Sequence, residues 1–162
     1  MLARRAAAGE LAAFAELVRV HEPRLRALLR RLAGDVGDDL AQETFVAAWR
    51  AAATWRGESS YFTWLARIGW RQFLSHQRRQ RKTEPLDEAA QLPVEPQDER
   101  RAAIEQAMAR LPERERMAAL LCFASGHSHS EAAMIMDVPL GTLKSLVARA
   151  RQRLVVTLED AQ

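Results

Sequence analysis

Apolar side chains recur at helical spacing along most of this 162-residue chain, and this spacing constrains the fold more than any other feature. Between residues 25 and 32, four leucines occupy positions i, i+3, i+4 and i+7, which lie on one face of a helix. Similar stripes cover residues 41–52, 62–73, 104–111, 117–124 and 143–154. No segment alternates apolar and polar residues for long enough to predict a strand. We therefore predict an all-α fold.

The acidic segment at residues 83–99 divides these helices into two groups. It contains three of the six prolines and six acidic residues, with no lysine or arginine. Such a composition favours an extended linker, although a long surface loop within one domain would have the same composition. We predict two small helical domains, residues 1–82 and 100–162, joined by a flexible acidic linker at residues 83–99.

Capping residues predict where two of the helices begin. Asp39, followed three residues later by Gln42, resembles the start of a capping box. Ser128, followed three residues later by Glu131, has the sequence of a capping box. Each pair precedes or opens an apolar stripe, so we expect a helix to start at each of them.

Turn residues predict two connections. Residues 57–60 should form a loop, and the helix that follows from about Tyr61 should end before Pro85. Residues 137–139 should form a tight turn between two short helices, of which the second is basic. Two such helices are typical of a helix-turn-helix.

Aromatic and basic residues are concentrated in two places. Eight of the ten aromatic residues lie between Phe45 and Phe73, and a basic run at residues 78–82 follows. Rings beside cationic side chains can stack on unpaired bases and bind the phosphate backbone. A second basic segment, residues 143–153, has helix-turn-helix spacing and suits duplex DNA. The net charge is only +3, but its distribution indicates two unlike nucleic-acid surfaces.

Several classes of protein are disfavoured by the sequence. No apolar stretch approaches the length of a membrane span, no secretory signal is evident, and Cys122 is the only cysteine, so we expect a cytoplasmic location. We find no catalytic triad, no paired catalytic carboxylates and no phosphate-binding glycine loop. Cys122, His127 and His129 lie within eight residues, but a fourth metal ligand is not evident. We predict no enzymatic activity, metal site, cofactor or membrane insertion.

Four segments resemble motifs of bacterial sigma factors, in the same order and at similar spacing. Residues 38–50 resemble the helix that binds core polymerase, and residues 55–68 resemble the −10 segment of the extracytoplasmic-function (group 4) subfamily. Residues 111–116 resemble the opening of sigma domain 4, and residues 141–154 resemble its −35 recognition helix. The chain therefore resembles a group 4 member of the sigma-70 family over residues 10–156.

The resemblance implies a subunit that directs core RNA polymerase to promoters and helps to melt the −10 element. Its implied partners are core RNA polymerase, through the coiled coil of the largest subunit and the flap, promoter DNA and an anti-sigma factor. Such an anti-sigma factor could hold the chain at the inner membrane of a bacterial cell. The acidic linker would thread toward the RNA exit channel.

The resemblance also assigns site residues. Those implied to bind core polymerase are Asp38, Asp39, Gln42, Glu43, Phe45 and Trp49. Those implied to bind −10 DNA are Gly57, Ser59, Ser60, Tyr61, Trp64, Arg67, Arg71, Ser75, Arg78 and Arg79. Those implied to bind −35 DNA are Thr142, Lys144, Ser145, Leu146, Arg149 and Arg151.

Five positions depart from the usual pattern of group 4 factors. Arg71 and Ser75 stand where asparagine and aspartate are common, and Leu146 and Ala148 stand where arginine and histidine are usual. Leu146 and Ala148 could contact thymine methyl groups, or −35 recognition could rest on DNA shape. Asp137 stands where glycine is usual, and we still expect the turn because aspartate tolerates a left-handed backbone.

Two alternatives stay open from the sequence. An autonomous helix-turn-helix regulator would bind duplex without polymerase, but it has no need of the aromatic segment at residues 45–73. A sigma-like decoy would bind a regulator and recognise DNA poorly, which the residues at 146 and 148 allow.

Overall fold

The structure is a computed structural model that describes residues 1–83 and 99–160. Within those ranges all regular structure is helical, in agreement with the predicted all-α class. The predicted linker at 83–99 falls almost entirely on residues 84–98, which lie outside the described part of the chain. Two helix ends flank it, at Thr83 and at Glu99.

Eight α-helices make up the described chain. Their bounds are α1 Leu2–Ala7, α2 Leu11–Ala33, α3 Gly37–Arg50, α4 Tyr61–Thr83, α5 Glu99–Ala109, α6 Glu113–Ala119, α7 His129–Met136 and α8 Leu140–Glu159. Short 3-10 turns follow α2 and α3, and a π-helical turn at Leu120–Ala124 follows α6. No helix in the described ranges is long and apolar enough to cross a membrane.

Helices α1 to α4 form the N-terminal domain around the leucine stripe of α2. Leu25, Leu29 and Leu32 are fully buried, and α3 and α4 pack against them. The rings of Trp70 and Phe73 stack at 5.5 Å and are each 1% exposed, so these two aromatic residues belong to the core. Burial of large rings of this kind is a major source of stability in a small domain.

The start of α3 crosses the backbone of α2 closely. A Cβ atom on Gly37 would lie 2.6 Å from the Cα atom of Arg30, so only glycine fits at this crossing. The predicted capping box at Asp39 and Gln42 is wrong, because α3 begins at Gly37 and both residues lie inside the helix. The structure uses an interaction with α2 instead, in which Arg30 donates two hydrogen bonds, of 2.6 and 2.8 Å, to Asp38.

Helices α5 to α8 form the C-terminal domain. The predicted capping box at the start of α7 is confirmed, because the side chain of Ser128 accepts from the amide of Glu131 and that of Glu131 accepts from the amide of Ser128. The turn after α7 is also confirmed, with Asp137 in the left-handed conformation at φ 54° and ψ 49°. Helix α8 has 20 residues and is longer than the short helix predicted.

The two domains pack against each other. Helix α7 lies on α4, and α2 contacts α5 and α6. The buried apolar residues of both domains form one cluster. This contact was not foreseen from the sequence, and it places the turn after α7 beside the N-terminal half of α4.

Candidate nucleic-acid interface

A cavity of about 300 Å³ lies beside the N-terminal half of α4. The loop before α4 forms one wall, α4 forms another, and one residue of α7 contributes. Its lining residues are Thr54, Trp55, Arg56, Gly57, Glu58, Ser59, Thr63, Trp64, Arg67, Ile68, Arg71 and Met134. The cavity combines aromatic rings, guanidinium groups and backbone, which are the groups that bind an unstacked base and its phosphates.

The loop wall depends on Gly57, which has φ +77°. This left-handed conformation favours glycine and turns the chain back over the indole ring of Trp55. A Cβ atom at position 57 would lie 3.5 Å from that ring. Residues 57–60 form no helix, which confirms the predicted loop, and the ring of Trp55 lies close to Gly57.

Ser60 and Tyr61 support the cavity without lining it. The hydroxyl of Ser60 accepts a hydrogen bond of 3.1 Å from the amide of Thr63 and so caps α4. The ring of Tyr61 packs 5.2 Å from Trp64 and 5.3 Å from His21. Burial raises the pKa of Tyr61 to about 12, so its hydroxyl stays neutral at all ordinary pH values.

Cationic residues continue from the cavity along α4. Arg67 and Arg71 line the cavity, and Arg78 and Arg79 are exposed further along the helix. Ser75 is half-buried between these two groups. The cationic row extends over more than three helical turns, long enough to follow a phosphate backbone.

Five of the ten predicted −10 residues line the cavity: Gly57, Ser59, Trp64, Arg67 and Arg71. Sequence reasoning did not select Trp55, Arg56, Thr63 or Ile68, although they lie within the segment that resembles the −10 region. It also missed Met134, for which the sequence gives no signal because this residue comes from the other domain.

The predicted core-binding helix α3 presents a partly apolar exposed face. Asp39, Gln42, Glu43 and Trp49 are exposed, and Val46 between them is 48% exposed. The other two predicted residues are partly buried. The hydrogen bonds from Arg30 to Asp38 hold the pKa of that carboxyl below its ordinary value, and Phe45 packs against the core.

The first turns of α8 expose three of the predicted −35 residues. Thr142, Lys144 and Ser145 are exposed. The predicted arginines Arg149 and Arg151 are exposed as well, but both have partners within the domain. Arg149 lies 3.3 Å from the buried carboxylate of Glu115, and the guanidinium of Arg151 lies 5.5 Å from the ring centre of Phe123.

Leu146 was predicted to bind −35 DNA, but the structure buries it. Its side chain is only 4% exposed, because position 146 belongs to the same buried stripe as Leu143, Val147 and Ala150. Its methyl groups are therefore not available to a thymine methyl in this structure. The helical spacing of residues 143–150 already indicated that Leu146 is buried, because position 146 lies three residues after Leu143 and on the same face of the helix.

Two family models match the chain. The Sigma-70 region 2 model matches residues 17–83, and the Sigma-70 region 4 model matches residues 101–154. An ECF RNA polymerase sigma-E factor of Escherichia coli K12 is 31% identical over 94% of this chain and 90% of its own length. The chain belongs to the ECF RNA polymerase sigma factor family. RNA polymerase sigma-H factor of Pseudomonas aeruginosa is 29% identical over 98% of this chain and 92% of its own length.

Solved structures agree with this membership. The sigma factor RpoE of Bartonella quintana, solved with the anti-sigma factor NepR, matches with a TM-score of 0.78 and 30% identity over 90% of this chain and 96% of its own. CnrH, solved with the cytosolic domain of CnrY, matches with a TM-score of 0.75 and 26% identity over 99% of this chain and 97% of its own. The prediction of two sigma domains is thereby confirmed.

The family fixes the function at the level of the whole chain. It is a sigma factor that directs RNA polymerase to promoters, and sigma factors are non-enzymatic transcription factors. The family match does not favour the autonomous regulator or the decoy, and the matched −10 region is one that an autonomous regulator has no need of.

Proposed function

We propose that the cavity beside α4 holds an unpaired base of the −10 element while the arginines of α4 bind the adjoining phosphates. The observation that carries this proposal is the cavity itself, in which Trp64 and Trp55 stand beside Arg67 and Arg71. Stacking accepts any base face, and the backbone and hydroxyl groups of residues 57–59 supply polar contacts to a base edge. In this proposal the sigma factor has no catalytic step of its own.

The exposed face of α3 is the proposed contact with core polymerase. Val46 and Trp49 form an apolar patch that carboxylates and an amide flank, and such mixed surfaces are typical of protein interfaces. Its partner in this proposal is the coiled coil of the largest polymerase subunit, with the flap contacting the C-terminal domain.

The start of α8 is the proposed −35 contact, through Thr142, Lys144 and Ser145. These three short or flexible polar side chains can bind phosphates and base edges in the major groove. Because Leu146 is buried and Ala148 has no polar group, we propose that base recognition here is sparse and that DNA shape contributes to it.

We also propose that an anti-sigma factor binds this chain and that the chain works in the bacterial cytoplasm. Support comes from RpoE of Bartonella quintana, which was solved with the anti-sigma factor NepR. The proposed domain boundaries are residues 1–82 and 100–162, with 83–99 as the linker.

Run-off transcription tests the proposal. Core RNA polymerase with the full chain would be supplied with genomic fragments, and start sites would be sequenced. We expect discrete starts that share −10 and −35 elements. On the promoters so found, Trp64→Ala should reduce opening of the −10 element by roughly tenfold to a hundredfold, the loss expected for one stacked base.

The matched control is Val20→Ala, which truncates an apolar residue of α2 that is 52% exposed and has no proposed role. It should open promoters as the parent chain does. Equal opening by Trp64→Ala and the parent chain would contradict the proposed base pocket. No start sites and no co-elution with core polymerase would contradict the proposal as a whole.

A further inference from the structure

The two arginines of the proposed −10 cavity already contact an anion in this structure. Arg67 donates a hydrogen bond of 3.1 Å to a carboxylate oxygen of Asp137, and Arg71 lies 3.9 Å from the other oxygen. Asp137 belongs to the turn of the helix-turn-helix in the other domain. Its carboxylate therefore occupies a position suited to a phosphate of the melted strand.

Asp137 has an unusual backbone for its residue type. It is the only non-glycine residue with positive φ in residues 1–83 and 99–160. A left-handed conformation is less favourable for aspartate than for glycine, which is the usual residue at this turn in group 4 factors. Arg71 likewise replaces the usual asparagine. The two departures from the family pattern thus lie opposite each other in the structure.

A second residue of the C-terminal domain reaches the cavity. Met134, one turn before Asp137 on α7, lines the cavity together with Trp64 and Arg71. Helix α7 thus contributes to the wall of the cavity, on the side where Asp137 faces Arg67 and Arg71.

Other contacts hold the domains in the same position. Arg116 of α6 donates a hydrogen bond of 2.8 Å to the carbonyl of Leu32 at the end of α2. The ring of His127 stacks on that of Phe62, with ring centres 5.7 Å apart, and the guanidinium of Arg24 lies 3.9 Å from the centre of the Phe62 ring. Several contacts therefore hold the two domains together, and the contact of Asp137 with Arg67 is the one that lies at the proposed −10 cavity.

The closed arrangement is incompatible with promoter binding. Elements at −10 and −35 are about 25 base pairs apart, which is about 85 Å of duplex at about 3.4 Å per base pair. A compact chain of this length has a radius of gyration of about 15 Å. Two domains in contact cannot reach both elements, so they must separate before the promoter is bound.

We propose that the C-terminal domain inhibits the −10 site of the same chain, with Asp137 acting as a latch on Arg67 and Arg71. This inference rests on the proposed function of the cavity. The latch is weak because both ion pairs are exposed, with 64% of the Asp137 side chain accessible. Polymerase binding and the phosphates of the melted strand then suffice to displace it.

The test uses the full chain and two substitutions at one position. Asp137→Asn removes the charge but keeps a side chain that tolerates the left-handed backbone, and Asp137→Gly also removes the backbone strain. Small-angle scattering of the free chain measures closure. Fluorescence anisotropy measures binding of a fluorescein-labelled non-template strand from a promoter found by start-site mapping.

We expect both variants to bind the single strand about threefold to fivefold more tightly than the parent, as expected for the loss of exposed ion pairs and a shift toward the open form, and to show a small increase in radius of gyration because the other interface contacts remain. The matched control is Glu16→Gln, which removes an exposed ion pair with Arg19 inside α2. It should match the parent in both measurements.

Two other outcomes would overturn the latch. Both variants matching the parent in scattering and in strand binding would overturn the latch. Opening by Asp137→Gly alone would assign closure to backbone geometry and overturn the ion-pair latch. Absence of start sites together with absence of co-elution with core polymerase would refute the proposed function, while the scattering comparison would still show whether Asp137 contributes to closure.

Discussion

Replacing Gly57 with alanine tests whether the loop of the cavity must keep its left-handed turn when DNA is opened. The added methyl group would lie 3.5 Å from the indole ring of Trp55, an ordinary van der Waals distance. The substitution therefore creates no clash. Its cost comes from the backbone, because φ is +77° at this position.

The size of this cost follows from the preference of L-residues against the left-handed region, about 1–2 kcal/mol for one residue. If the loop must keep this turn around an unpaired base, the equilibrium for opening should fall by a factor of about 5 to 30. In the free chain the loop is exposed and can relax, so the loss of folding stability should not exceed the same about 1–2 kcal/mol.

The assay is permanganate reactivity of unpaired −10 thymines, measured with holoenzymes at equal promoter occupancy. Gly9→Ala is the matched control, since Gly9 has φ +90°, has no neighbouring atom within 4 Å of an added Cβ, and lies between α1 and α2. Both variants should lose similar stability in thermal unfolding, but only Gly57→Ala should lose promoter opening. Equal opening by the two variants would refute the argument that this turn is required in the open complex.

Two further predictions concern the buried positions of the C-terminal domain. Leu146→Ala should lower the free energy of unfolding in urea by about 2–3 kcal/mol because the side chain is buried. The control Ala148→Ser, at an exposed position, should change this free energy by no more than about 0.5 kcal/mol. If both substitutions had equally small effects, Leu146 would have to lie at the surface. Burial and the neighbouring Arg24 hold the pKa of His127 below its ordinary value of 6.5. The folded state therefore favours the neutral ring, and its stability should be complete above about pH 6.5 and fall as the pH drops below that value. His127→Phe should reduce this slope in thermal unfolding measured from about pH 8 to about pH 5.5. Some slope should remain because burial also lowers the pKa of His21. An unchanged slope would contradict the assignment to His127.

The latch also bears on how such a chain could be regulated. A partner that stabilised the contact between α7 and α4 would keep the −10 cavity closed without covering it directly. A partner that separated the domains would open the cavity. Both effects would act on one equilibrium, in proportion to the difference in affinity for the closed and open forms.

Patterns within one helix or one turn were predicted well from the sequence. The capping box at Ser128, the loop at residues 57–60 and the left-handed turn at Asp137 are all local, and each depends on a few neighbouring residues. The prediction failed at Asp39, where an interaction with Arg30 of another helix involves the neighbouring Asp38 and the helix begins two residues earlier. Where a helix begins depends on every group that can interact with its first turn, including groups from other helices, whereas the sequence shows only the neighbours along the chain.

The sequence by itself determined the helical class, the order of the motifs and the residue types of both proposed DNA-binding surfaces. These follow from periodicity and local chemistry, which act over a few residues. Only the tertiary structure decided which side chains are accessible and which residues meet across the chain. Arg67 and Asp137 are 70 residues apart and form an ion pair because α7 packs on α4. Such a contact depends on the packing of two apolar surfaces, whose relative position is not encoded in either segment alone.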